Sequence, residues 1–250
     1  MATTGVSSEQ IQVRICEAAA VMMLDGGIDA LSGALVADAA GVTKARVLRR
    51  YTSRAELVSG IYLHGHARIA AVCDRRSRRT GSGVDAVVAL TYDLLEQASL
   101  DPLARVVHCL EATRSAFETH TDTDVSIIGV YRLWHEHFYA LLRRDDDCSV
   151  DETDDGRVVE VVELLVAAVA GFCDPRRFYV STLRERMDRL HVVLVAVIPT
   201  LYSDTARAEH MRHYLTRVHD AVDPSTDTHT HTSIGTDTGT DLHLMGRPYR

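Results

Sequence analysis

Lys44, Arg46, Arg49 and Arg50 fall within the stretch ADAAGVTKARVLRRY that runs from Ala37 to Tyr51. Arginine and lysine clustered on one short helix suit two tasks, bidentate donation to guanine O6 and N7 and neutralisation of phosphate oxygens. A basic face is often only a solvated one, but here the spacing A-x-x-A-G-V-T-K surrounds it. Two short helices can meet in a tight turn only where small residues let the backbones approach. Ala37, Ala40 and Gly41 supply these, and Val42 and Val47 can plug the seam. The second helix is then free to enter a DNA major groove. Its N-terminal side chains, from Thr43 to Arg46, are placed to reach base edges, whereas Arg49, Arg50 and Tyr51 lie where phosphates or the core would meet them.

The elements that must hold this pair in place are marked by dense helix punctuation. Apolar residues at Ile11, Ile15, Ala18, Ala19, Met22 and Met23 define one face of a helix over residues 8–25, stopped by Gly26 and Gly27. Ser32 is a cap for a short second helix reaching Ala40, and Thr43 for a third ending near Tyr51. Ser53-Arg54-Ala55-Glu56 has the form of a capping box and opens a long fourth helix towards Arg79. After a break at residues 80–83, helical patterns follow at 84–99, 102–118, 124–143, 157–172 and 179–202. Those at 157–172 and 179–202 are apolar around much of their circumference and require burial on more than one side, against the core or a second copy of the chain. The expected fold class is all-α. A helix-turn-helix domain covers residues 1–52, a larger ligand-binding and dimerisation domain covers 53–203 with residues 53–79 as the connecting helix, and 204–250 form an extra helix and a tail. From Asp223 onward the Thr/Asp/His/Gly run has no apolar period and is expected to be disordered.

With 250 residues and a 46% hydrophobic composition, the chain can bury a substantial core. The net charge is −8, unevenly distributed: residues 1–80 hold eleven Lys and Arg against seven Asp and Glu, and the remainder is acidic. A basic module can therefore dock on DNA while an acidic body points away. The longest apolar runs are about half the ~20 residues a membrane span needs, and the first thirty residues have no signal-peptide pattern, so a cytoplasmic protein without membrane contact is expected. Five cysteines without a C-x-x-C pair suit reduced, packed thiols. His64-x-His66 and His135-x-His137 splay their rings around a helix, so no metal site is expected. No P-loop, GxGxxG, GxSxG or HExxH occurs, and neither a cofactor nor an enzymatic role is expected.

From Arg14 through Ile61 the sequence resembles, without a gap, the DNA-binding domain of the TetR family of repressors. The resemblance is carried by Ile15, Ala18 and Ala19, by Gly27, by Val36-Ala37, by Gly41-Val42-Thr43-Lys44, and by Ser53-Arg54-x-Glu56-Leu57. It implies an operator-contact set of Arg14, Ser32, Thr43, Lys44, Ala45, Arg46, Leu48, Arg49, Arg50 and Arg54, and a homodimer reading palindromic double-stranded DNA. The sequence departs from the family pattern at several places. Leu48 stands where a Tyr is usual, Arg50 where a His is usual and Arg46 where a small residue is usual, with Met23 in place of a Phe and Gly33 in place of a β-branched residue. These departures redistribute the implied contacts towards Arg46, Arg49 and Arg50. Gly33, read as lying inside the second helix, is expected to cost up to ~1 kcal/mol relative to alanine.

Residues 100–200 resemble the γ-butyrolactone receptor subgroup of that family, through Asp101-Pro102-Leu103-Ala104-Arg105, Trp134 seven residues before Leu141-Leu142, Val150-Asp151, the run from Leu164 to Ala168, and Leu194 to Pro199. This resemblance implies a small apolar signal that releases the repressor from DNA, control of antibiotic or secondary-metabolism genes, and a place for Trp134 in the ligand pocket. Helices 84–99 and 124–143 offer Val88, Leu95, Val130 and Phe138 beside Tyr92 and Tyr131 as further lining. A related receptor answering another small molecule, and an interaction protein whose DNA-reading helix has drifted, are the alternatives. Sequence-specific binding of a palindromic duplex separates the last from the rest.

Overall fold

A computed structural model describes residues 7–79, 81–112, 129–144, 155–174, 182–202 and 204–221. All regular structure among these residues is helical. Helices α1 (Ser8–Gly26), α2 (Gly33–Ala39), α3 (Lys44–Arg50) and α4 (Arg54–Ser77) are followed by α5 (Gly83–Leu100), α6 (Pro102–Ala112), α7 (Val130–Leu142), α8 (Asp155–Cys173), α9 (Leu183–Val197) and α10 (Thr205–Ala221). The patterns expected at 102–118 and 124–143 appear as α6 and α7; residues 113–128 and the tail after Asp223 lie outside the described residues. No helix among them is long and apolar enough to cross a membrane.

The local signals explain most boundaries. Gly27 ends α1 with φ +73°, a conformation that costs glycine nothing, and its N–H bonds back to the Met23 carbonyl. The turn between α2 and α3 runs through Gly41 at φ +62°. Thr43 caps α3 by accepting from the Arg46 N–H at 3.3 Å. Ser53 caps α4 in the same way through Glu56 N–H at 3.1 Å, while the Glu56 carboxylate reaches one residue further back, to the N–H of Thr52 at 2.7 Å. Two expectations are corrected. Ser32 occupies the cap position of α2 but its side chain makes no capping hydrogen bond, and Gly33 is the first residue of α2, not an interior one. Because the first turn of a helix lacks the intrahelical bonds of its interior, the interior penalty for glycine does not apply there.

Two cores are stacked along the molecule. The smaller gathers Ile15, Ala19, Val36, Val47, Leu57 and Ile61 from α1 to α4, together with Leu103, Val106 and Leu110 from α6. The larger takes the other side of α6, at Ala104 and Val107, and joins it to α5, α7, α8 and α9. Helix α6 therefore contributes to both cores, as does α4 through Ile61 below and Ile69 above. Their crossing is very close at Gly65, where a Cβ would stand 2.6 Å from the Leu103 carbonyl oxygen and 2.6 Å from Val107 Cγ2. Nearby, Arg68 on α4 binds the carboxylate of Asp101 at 3.1 Å and also pairs with Glu17 of α1.

Gly65→Ala is expected to destabilise the protein by about 1–3 kcal/mol, because a backbone oxygen cannot rotate away from the added carbon. This is the reverse of the usual gain of up to ~1 kcal/mol when a helical glycine becomes alanine. Urea denaturation checks the sign, with Gly171→Ala on α8, where an added Cβ meets nothing within 4 Å, as the control that should gain stability.

Candidate DNA interface and ligand-binding core

Helix α3 is anchored by Val47 alone, which is 2% exposed. Lys44, Ala45, Arg46, Leu48, Arg49 and Arg50 all face solvent, as does the capping Thr43. The structure thus gathers the expected contact residues of this helix on one open surface. Arg50 also lies over the ring of Tyr51, its guanidinium carbon 5.8 Å from the ring centre. Tyr51 belongs to the core: its hydroxyl meets Cys16 Sγ at 3.1 Å, and its ring fills the space that a side chain at Gly60 would need. Burial pushes the Cys16 thiol up, with Tyr51 opposing it in smaller measure.

The outlying members of the set are tied into the fold. The exposed Arg14 donates from Nη2 to the Ala40 carbonyl at 2.6 Å, so it closes the C-terminal end of α2 beneath the turn. Arg54 pairs with Asp29 at 3.0 Å, and Ser32 is half-buried. Gly33 would place a Cβ in ordinary contact with Leu48 Cδ2, 3.6 Å away, which sets the exposed Leu48 beside the start of α2.

In the larger core, Val88, Tyr92 and Leu95 of α5 and Val130, Trp134 and Phe138 of α7 are all buried in one cluster. The Tyr92 hydroxyl is already engaged, 3.1 Å from His219 Nδ1 and 3.4 Å from His191 Nδ1. Trp134 is fully buried, with its ring centre 5.5 Å from that of Tyr131 and 5.3 Å from that of His108 on α6. Neither the Trp134 indole N–H nor His108 Nδ1 has a hydrogen-bond partner among the described residues. A buried polar atom left unsatisfied costs about 1–3 kcal/mol, so two of them side by side are unlike ordinary core packing. Burial drives the His108 pKa down to about 4, against a smaller opposing pull from Asp174, so the imidazole is neutral at physiological pH. An open cleft of about 510 Å³ between α7 and α8, lined by Tyr131, His135, Val166 and Ala170 among others, lies beside this cluster through the shared Tyr131.

Sequence reasoning missed His108. The available signal was a lone imidazole set among Leu103, Val106, Val107 and Leu110 in a helix apolar on both faces.

Residues 15–61 match the family model for bacterial regulatory proteins of the tetR family. No curated protein sequence matches the chain. Among solved structures, a γ-butyrolactone receptor described as an ArpA-like protein is similar at 18% identity and a TM-score of 0.62, over 85% of this chain and 98% of that one. CprB from Streptomyces coelicolor, solved in complex with its biological operator sequence, is similar at 19% identity and 0.61, over 85% and 98%. The regulator tylp from Streptomyces fradiae is similar at 21% identity and 0.52, over 84% and 100%. Residues 15–61 therefore carry the N-terminal domain of the bacterial tetR-family regulatory proteins, set on a helical body that has the fold of the γ-butyrolactone receptors.

Proposed function

We propose that this chain is a ligand-responsive transcriptional repressor that binds a palindromic operator as a dimer and releases it when a small apolar signal of the γ-butyrolactone type enters the core around Trp134. The observation that carries this reading is α3, a helix held by Val47 with every other residue offered to solvent and four of its seven residues basic. Such a helix has little to do for stability and is shaped for a groove. Support for the ligand half comes from the unpartnered indole N–H of Trp134, a buried donor in want of an acceptor.

The route between the two sites is α6. Its His108 side faces Trp134, and its Leu103, Val106 and Leu110 side is part of the core beneath the reading head. A ligand that shifts α6 must move α4 with it, since no slack exists at Gly65. Two recognition helices can dock together only when they stand ~34–36 Å apart or a multiple of the helical repeat, so small tilts abolish simultaneous contact. By linkage the ligand must favour the DNA-free conformation, and operator must weaken ligand binding by the same factor.

Operator fragments isolated from genomic DNA with the purified protein provide the duplex for the tests. Lys44→Ala and Arg46→Ala are each expected to weaken binding to that duplex by ~1–3 kcal/mol while barely changing binding to unrelated DNA, and Arg54→Ala to weaken both alike. Equal losses on both duplexes from all three would remove the base-reading role of α3. For the ligand half, lactones are titrated while Trp134, the one tryptophan in the chain, is followed by fluorescence, with and without operator. The expected quench becomes weaker in apparent affinity when operator is present. A quench indifferent to operator would separate this tryptophan from the switch.

A further inference from the structure

We propose that His191, His219 and Tyr92 form a proton-operated latch, which docks α10 on the body of the protein at neutral pH and lets it open in acid. The two imidazoles come from different helices, His191 from α9 and His219 from α10. They lie stacked, with ring centres 4.0 Å apart and planes 11° from parallel. Both Nδ1 atoms face the hydroxyl of the buried Tyr92 on α5, His219 at 3.1 Å and His191 at 3.4 Å, and His219 Nε2 lies 3.0 Å from Asp188 Oδ1 of α9. Histidine is the side chain that changes charge between pH 5 and pH 8, so two of them in contact around one hydroxyl make a proton count matter.

The hydrogen bonds fix where the protons sit. A carboxylate only accepts, so His219 carries its proton on Nε2, and its bare Nδ1 accepts the Tyr92 O–H. That hydroxyl has no second proton, so His191 donates to it from Nδ1. One added proton is accommodated on His219 Nδ1 next to Asp188, with the Tyr92 O–H turning to a His191 Nδ1 left bare. A second is not. Both Nδ1–H groups then point at one hydroxyl, and two imidazoliums face each other across 4.0 Å. Asp188 cannot offset both, because Arg184 Nε already lies 2.8 Å from the same carboxylate oxygen. The other titratable groups nearby are Tyr214 and Arg217 further back on α10, with the Tyr214 hydroxyl bound to Asp85 of α5. The turn Ile198–Leu201, also packed against α10, has no titratable residue. Once α10 opens, the rings part and both take a proton. The open form thus binds one proton more than the docked form, and acid favours it. Leu215, 1% exposed in the larger core, is the apolar residue that opening withdraws.

Hydrogen exchange of the full-length protein between pH 7 and pH 5, corrected for the intrinsic pH dependence of the chemistry, tests the latch. Protection of α10 is expected to fall by about tenfold per pH unit where the open form holds the extra proton, while α4 stays better protected than α10 throughout. His219→Gln keeps a donor for Asp188 but cannot be charged, so it should retain the protection of α10 at pH 7 and lose its acid sensitivity. A second readout on native protein guards against a variant that fails to fold. With ¹⁵N-labelled histidine at neutral pH, His219 should be protonated at Nε2 and His191 at Nδ1, the two rings in opposite tautomers. The same tautomer in both rings, or protection of α10 that does not change with pH, overturns the latch. So does an acid loss that survives His219→Gln, which would place the titration at the exposed His210 and His213 of α10 instead.

Discussion

Aspartate at both Leu164 and Val192 is expected to leave the protein monomeric and to lower operator affinity by about 10²-fold or more, the loss that follows when two linked half-site contacts become independent. The two side chains lie on α8 and α9, which pack against one another, and they are 55% and 67% exposed. On the same helices Leu165, Val169, Leu190 and Leu194 are buried in the larger core. Each helix thus has a satisfied inner face and a large apolar residue facing outward, and a two-fold pairing of that face with its own copy is the simplest cover. Since both positions are exposed within one chain, the substitutions should leave helix content and the unfolding of the isolated chain nearly unchanged. Light scattering at micromolar concentration checks the first part, with a chain mass of 27.6 kDa as the monomer standard, and operator titration checks the second. A double variant that still scatters as a dimer would place the interface elsewhere.

Acidification from pH 6.5 to pH 4 is expected to destabilise the protein through His108 by on the order of 3 kcal/mol. The sign follows from its pKa, held by burial at about 4 in the folded chain against an ordinary value of 6.5. Above pH 6.5 the residue is neutral in both states and contributes no slope. Below it the unfolded chain takes up a proton that the folded chain refuses until about pH 4, and stability falls across that window. Asp174 is the charged group that acts on the ring in the opposite direction, and Trp134 packs against it without neutralising it. Chemical denaturation at intervals between pH 7 and pH 4 measures the slope, and His108→Leu isolates it from the contributions of other histidines. If native and variant proteins lose stability in parallel, the imidazole is not shielded as the structure has it.

The departures from the family pattern acquire concrete settings. Leu48, in place of the usual tyrosine, is 48% exposed on α3. An apolar side chain there can meet a thymine methyl but cannot hold a phosphate. Arg50 stacks on Tyr51 and retains its charge at the far end of the helix.

Much of the N-terminal domain was legible in the sequence because its determinants are local. Gly27, Gly41, Thr43 and Ser53 act within a turn or two of their own positions, and the basic character of α3 is a property of seven consecutive residues. The all-helical class followed equally from short-range periodicity. Only the tertiary structure decided what those helices do to one another. The period of α6 marks two apolar faces but cannot say that one completes the core of the N-terminal domain and the other meets Trp134. The bond from Arg14 to Ala40 crosses 26 positions, Tyr92 to His219 crosses 127, and the Gly65 crossing depends on a carbonyl near residue 103. Sequence patterning fixes which surface of a helix avoids water, since that depends on spacing along one chain segment. It leaves open which distant surface covers it and which buried polar atoms go without a partner, because those depend on three-dimensional packing among segments far apart in sequence.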